Sequence, residues 1–393
     1  MQWKYVLSEP DLGRDEIEAA TACIASGWLS MGPRTRAFET TFAAMHGVKH
    51  AFAVANGTAA LHIALAALEV GRSEADEVIQ PSMSFVAAAN MTVTVGAKPV
   101  FADIIALDEP TIDPADIARR ITPHTRAIVV MHYGGYACRM AEIMALADRH
   151  GIPVIEDACH APGQPYATGR SDCGFEGRHL GTIGAIGCFS FFSNKNMTCG
   201  EGGMVVTNDD NLADRIKSLR SHGMTTLSWD RHQGRATTYD VTLNGFNYRL
   251  DDLRAALASV QLAKLPTANA RRRVLAKRYA AAFRAFGDPE VRYVFADRAE
   301  DGTAHVGAVL VPEADRDRVR AVLAERGIQT SLHYPPIHLF TAFADSAGRG
   351  LARTEELARR VITLPLYPGL EVEAVDEITA TIAAILRANA KAA

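Results

Sequence analysis

The sequence has few cysteines, no long apolar run and no block of like charge, and each absence removes a class of protein. Its six cysteines, at 23, 138, 159, 173, 188 and 199 of 393 residues, form no C-x-x-C pair and are too sparse for a disulfide scaffold. They read as reduced thiols, so the chain is expected in the cytoplasm. No stretch reaches the ~18 apolar residues of a membrane span. The opening MQWKYVLSEPDLGRDE lacks the basic and apolar regions of a signal peptide. With a net charge of −4 and no basic stripe, neither nucleic acid nor an acidic membrane surface is an expected partner. Dinucleotide (G-x-G-x-x-G), P-loop, G-x-S-x-G and H-E-x-x-H motifs do not occur, and the 13 histidines are too scattered to suggest a metal site.

What is present is the composition of an ordinary globular protein, 48% hydrophobic and 22% charged. Its length exceeds what one core usually organises, so a large domain with a smaller one is expected. From about residue 48, short β-rich runs alternate with helical patterns: VKHAFAVAN, a helix from Thr58, DEVIQP, a helix through Asn90, PVFAD, RAIVVMHY, a helix around Ile143, and IPVIED. This alternation predicts an α/β fold with a mostly parallel sheet and crossover helices. The runs at 77–80, 127–131 and 152–156 have apolar centres without alternation, as expected of strands covered on both faces. Strands are also predicted at 186–192 and 203–208. A basic, Ala-rich helix over 262–286 leads into a second unit with strands at 305–311 and 328–334 and helices at 313–326 and 372–388. The first twenty-odd residues carry no core signal and are expected to pack on that smaller unit.

Three features sit at the carboxyl ends of predicted strands, where open α/β sheets bind ligands. Asn56-Gly57-Thr58 joins a strand to a helix, and its free amides at the positive end of the helix dipole form a phosphate cradle. Glu156-Asp157 closes the strand PVIED with acid. Lys195 lies between two apolar runs beside a glycine cluster. Each alone is bland: an N-cap, a surface acid, a solvated lysine. Together they are what a pyridoxal phosphate site requires: an amine to bond the cofactor, a carboxylate for the pyridine nitrogen and a seat for the phosphate.

The order and spacing of motifs along most of the chain resemble the DegT/DnrJ/EryC1/StrS family, fold-type I sugar aminotransferases that depend on pyridoxal phosphate. The matching stretches include GWLSMGPRTRAFE (27–39), NGTAALHIAL (56–65), PSMSFVAAAN (81–90), VIEDACHA (154–161), CFSFFSNKN (188–196), GFNYRLDDLRAALASVQL (245–262), HYPPIH (333–338) and LPLYPGL (364–370). The resemblance implies a seven-stranded sheet in a large domain, residues 25–265, and a small α+β domain, residues 266–393, on which residues 1–24 pack. It implies Lys195 as the Schiff-base lysine and catalytic acid/base, and Asp157 as the partner of the pyridine nitrogen. Gly57, Thr58 and Ser190 match the phosphate ligands, Phe85 an aromatic over the ring, and Cys159 and His160 the residues beneath and beside it. Cys159 departs from the family's more usual Ala. Asn247 matches an asparagine that reaches the phosphate of the neighbouring subunit, implying a homodimer with shared sites. Ser30, Tyr334 and His338 match segments around the substrate opening, with Trp28 and Gly32 beside Ser30.

The implied reaction is transfer of an amino group from L-glutamate or glutamine, through the pyridoxamine phosphate form, to a keto group of a nucleotide-linked sugar. Alternatives are a cyclitol or other carbocyclic ketone as acceptor and a non-catalytic cofactor-binding regulator. A pyridoxamine-dependent dehydratase would carry histidine where Lys195 stands. Two insertions, 167–182 and 224–240, exceed the shorter family pattern and are candidates for nucleotide or partner-subunit contacts.

Overall fold

The computed structural model describes residues 3–167, 174–226, 229, 233–234, 237–346 and 350–390. Parts of both insertions, 168–173 in the first and 227, 228, 230–232, 235 and 236 in the second, lie outside the described residues. The predicted sheet is present with seven strands: β1 (His50–Val54), β2 (Glu77–Pro81), β3 (Lys98–Ala102), β4 (Thr125–Met131), β5 (Val154–Asp157), β6 (Ile186–Ser190) and β7 (Gly203–Thr207). Their order is β1-β7-β6-β5-β4-β2-β3, and only the pairings of β7 with β1 and β6 are antiparallel.

Alternation along the strands sends residues to two covered faces. Ile79, Ile128, Val130, Val154 and Phe189 pack under α2 (Pro33–His46), α6 (Met140–His150) and the first half of α8 (Asp252–Phe286). Val78, Val129, Ile155 and Val205 pack under α3 (Gly57–Ala67), α4 (Ala87–Thr94) and α7 (Asp210–Leu219). Helices on both faces explain why β2, β4 and β5 carry consecutive apolar residues, Val78-Ile79, Ala127–Met131 and Val154-Ile155, without alternation. The 35-residue α8 tolerates Pro266 in its interior and carries on into a second core through Leu275, Tyr279 and Phe283. There it meets an antiparallel sheet of β8 (Arg292–Tyr293), β9 (Gly307–Leu310) and β10 (Val361–Leu364), backed by α9 (Arg316–Glu325) and α11 (Val372–Ala390).

The predicted strand at 328–334 does not form. Its residues make only isolated bridges, Ile328 with Tyr5 and Ser331 with Thr363 of the second sheet, and Pro335-Pro336 ends any ladder. The run at 186–192 leaves the sheet after Ser190. No helix among the described residues is long and apolar enough to cross a membrane.

The N-terminal residues divide between the two cores. Lys4 and Tyr5 bond Glu377 on α11, while α1 (Arg14–Ala25) lies along the first half of α8. α1 is held by Glu16, whose carboxylate accepts the Gly13 N–H at 2.8 Å, Gln261 Nε2 at 2.8 Å and Lys264 Nζ at 2.8 Å. Burial opposes its ionisation, but these three donors outweigh it and lower its pKa to about 2. The native state therefore binds fewer protons than the unfolded chain between about pH 4.5 and 2, so this tie is intact above that window and is lost as pH falls through it. Glu16→Gln should flatten the acid limb of a stability-against-pH curve measured by urea unfolding; an unchanged limb would contradict this role.

Candidate active site

The carboxyl ends of β1, β4, β5 and β6 open onto a cavity of about 380 Å³, within the size range of small-molecule sites. At its base α3 begins. Asn56 caps it by accepting the Ala59 N–H at 2.8 Å, which leaves the Gly57 and Thr58 amides as the donors a helix start cannot satisfy internally. A Cβ on Gly57 would stand 2.8 Å from Ser190 Cβ and 3.2 Å from Cys159 Sγ, so only glycine lets the helix start approach β6 this closely.

Alternation splits the acidic pair at the end of β5. Glu156 turns to the α6 side and is wholly buried, accepting N–H groups of Gly181 at 2.8 Å, Ile183 at 2.7 Å and Gly184 at 2.6 Å. It also meets His132 Nε2 at 2.9 Å. Because His132 Nδ1 accepts the Cys138 N–H at 3.2 Å, the ring proton belongs on Nε2 and is donated to Glu156. Burial alone would favour the neutral acid, but His132 and the three amides keep the Glu156 pKa below its ordinary value. Asp157 turns the other way, into the cavity, where its Oδ1 accepts the Cys159 N–H at 3.1 Å.

Lys195 enters from the turn after β6, which the Lys195 N–H closes on Phe192 O at 2.9 Å. Burial lowers the pKa of its amine, and the Asp157 charge opposes that shift without cancelling it. Cys159 lines the same wall with its thiol pKa pushed far up, chiefly by burial, so it is a neutral group there. His160 Nδ1 accepts the Gly134 N–H at 3.3 Å, which leaves its proton on Nε2, 2.9 Å from Tyr334 Oη. Burial, reinforced by Lys195, lowers the His160 pKa well below the usual imidazole value and keeps the ring neutral.

The cavity thus brings together Gly57, Thr58, Phe85, Asp157, Cys159, His160, Ser190, Lys195 and Tyr334. Phe85, 57% exposed, stands at the mouth with its ring centroid 6.2 Å from that of Tyr334. Three other candidates lie elsewhere. Ser30 and Asn247 are exposed and do not line this cavity, while His338 is buried away from it against Ser82. Two histidines that sequence reasoning left out flank Lys195. His333 lines the cavity, and His305 packs against His160 with ring centroids 4.3 Å apart and planes tilted by 40°. Burial lowers both pKa values, that of His333 to about 4. His333 lies in the quoted HYPPIH, adjacent to Tyr334, whereas nothing in the sequence marks His305.

These residues suit pyridoxal phosphate. The Gly57 approach that a Cβ would fill leaves room at two free amides, the Lys195 amine faces a carboxylate, and Asn194 Oδ1, buried in the cavity wall, has no hydrogen-bond partner among the described residues. The family model of DegT/DnrJ/EryC1/StrS aminotransferases matches residues 10–383. Helicobacter pylori PseC, an aminotransferase involved in the biosynthesis of pseudoaminic acid, is similar at a TM-score of 0.88 and 28% identity, covering 98% of this chain and 99% of that one. Spr1654 of Streptococcus pneumoniae in its PLP form gives 0.85 and 26%, covering 98% of each chain. DesI, in a structure determined in the presence of its TDP-sugar product, gives 0.84 and 30%, covering 98% of this chain and 93% of that one. The chain belongs to the DegT/DnrJ/EryC1/StrS aminotransferase family, whose members are fold-type I enzymes dependent on pyridoxal phosphate.

Proposed function

We propose that the protein transfers an amino group from L-glutamate to a keto group of a nucleotide-linked sugar. The observation that carries the reading is Lys195, an amine with a lowered pKa that shares a cavity with Asp157 and with the free amides at the start of α3. A sugar acceptor is supported by PseC and by DesI with its TDP-sugar product.

Pyridoxal phosphate, when bound, supplies an aldehyde that captures amines and a ring that withdraws electrons from the substrate's reacting carbon. The Gly57 and Thr58 amides and the Ser190 hydroxyl would hold its phosphate, Asp157 its ring nitrogen, and Cys159 and Phe85 its two faces. Burial makes Lys195 Nζ available as a free amine at a lower pH than a solvated lysine, so it acts first as nucleophile and then as the base that takes and returns a proton. The His160 Nε2 proton points to Tyr334 Oη, which leaves the Tyr334 hydroxyl proton for an acceptor inside the cavity. Phe85, Phe192 and Tyr334 form an apolar rim that limits water at Lys195.

The working unit in this reading is a cytoplasmic homodimer of chains divided at about residue 265. Asn247, exposed beside the bridge from Ser221, reaches the phosphate of the second copy. The five described cysteines are all free thiols.

Asp157→Asn removes the charge that favours the protonated amine, so the Lys195 pKa should fall further, by about one unit. The pH dependence of Lys195 acylation in cofactor-free protein measures this, and a midpoint moving upward would refute the coupling. Lys195→Ala should retain cofactor yet lose turnover with L-glutamate and a nucleotide-linked keto sugar by at least ~10²-fold. Normal turnover by that variant would remove Lys195 from the reaction.

A further inference from the structure

His338 does not reach the cavity, yet it joins two of the cavity's walls. One wall is the turn after β2, where Ser82 is fully buried and Ser84 and Phe85 face the cavity. The other is the segment carrying His333 and Tyr334. Four contacts fasten them: Ile337 N–H to Ser82 O at 3.1 Å, His338 N–H to Ser82 Oγ at 3.2 Å, Tyr334 N–H to Met83 Sδ at 3.2 Å, and Ser82 Oγ to His338 Nδ1 at 2.7 Å.

The proton arrangement of the last contact follows from what the ring's other nitrogen faces, the Glu355 carboxylate. Ser82 Oγ already accepts the His338 backbone N–H, and its own hydrogen goes to Nδ1, which makes the imidazole a neutral acceptor with its proton on Nε2. Burial favours that neutral form by lowering the His338 pKa, against a smaller opposing pull from Glu355, whose Oε1 is 3.5 Å from Nε2. Ser, His and Glu thus stand in sequence of contact, but Ser82 has no exposed surface and is closed to any substrate. The His338 side chain, 4% exposed, acts as an internal peg.

We propose that His338 is a positioning residue that, through Ser82, sets the separation of the Phe85 and Tyr334 walls and so governs which keto acceptor the cavity admits. The proposal rests on the transaminase reading above. An amino donor is small and is handled at Lys195, deep in the cavity. A nucleotide-linked acceptor is larger and must pass between Phe85 and Tyr334 at the mouth, so it senses their separation.

His338→Gln moves the polar group away from the Nδ1 position, His338→Asn keeps one there, and Ser82→Ala removes the partner. A hydrogen bond of ~1.4 kcal/mol corresponds to a tenfold change, so His338→Gln and Ser82→Ala should each raise the acceptor KM about tenfold. Cofactor retention and the L-glutamate half-reaction should stay within about twofold of the parent. The double variant should be no worse than either single one, and His338→Asn should recover most of the KM. Amide exchange over 333–340 should quicken in His338→Gln and Ser82→Ala and stay near the parent's in His338→Asn. Additive losses, an unchanged acceptor KM or a damaged donor half-reaction would overturn the proposal. Should the parent aminate no nucleotide-linked keto sugar, the substrate reading fails, and the exchange experiment alone decides the peg: unchanged exchange in both variants refutes it.

Discussion

The site depends on one buried carboxylate that takes no part in its chemistry. Glu156 has no exposed surface, and its three amide donors and His132 clamp the segment 181–184 that returns the chain from β5 to β6. An ionised carboxylate in such a place is tolerable only when its lone pairs are satisfied, and here they are. With Glu156 locked to one face, the twofold alternation of a strand forces Asp157 to the other, beneath α3. The clamp also sets where β6 starts, and β6 delivers Ser190 and the turn carrying Lys195.

The second requirement is that Lys195 be covered although the turn that carries it, after β6, is partly exposed. Asn196, its neighbour, donates to Asn269 Oδ1 at 2.8 Å and to Thr303 O at 3.2 Å and meets His305 Nδ1 at 2.9 Å. Asn269 in turn donates to Pro162 O at 3.0 Å. The lysine is therefore roofed by α8 and by the residues leading into the second sheet. The lowered pKa of its amine belongs to the assembled fold, not to the local sequence. Three neutral histidines, 160, 305 and 333, complete the surroundings without adding charge that would repel an ammonium.

Much of this arrangement is legible in the sequence, for local reasons. The runs at 77–80 and 127–131 and the end of that at 152–156 are strands, as their consecutive apolar residues suit burial on both faces. Gly57, Asp157 and Lys195 stand out because each lies where a strand gives way to a turn or helix. What escapes is set by distant partners. His305 reaches the site only because β9 and the chain before it fold back on the large sheet. The carboxylate that caps α2 is Asp252, 220 residues away from the Gly32 N–H it accepts at 2.8 Å. The run 328–334 has strand-like residues but makes a single bridge to β10, at Ser331, and β8, two residues long, and β10, four, are too short to show a period. His338 has the residue type of a ligand and the position of a peg, a distinction only its Ser82 contact reveals.

The proposed function requires that the cofactor bond the chain at Lys195 and nowhere else. Borohydride reduction of the protein loaded with pyridoxal phosphate, followed by peptide mass mapping, tests it directly. A pyridoxyl adduct confined to the peptide containing Lys195 is the predicted result; an adduct on a different lysine, or none on a protein that nonetheless transfers amino groups, would contradict it.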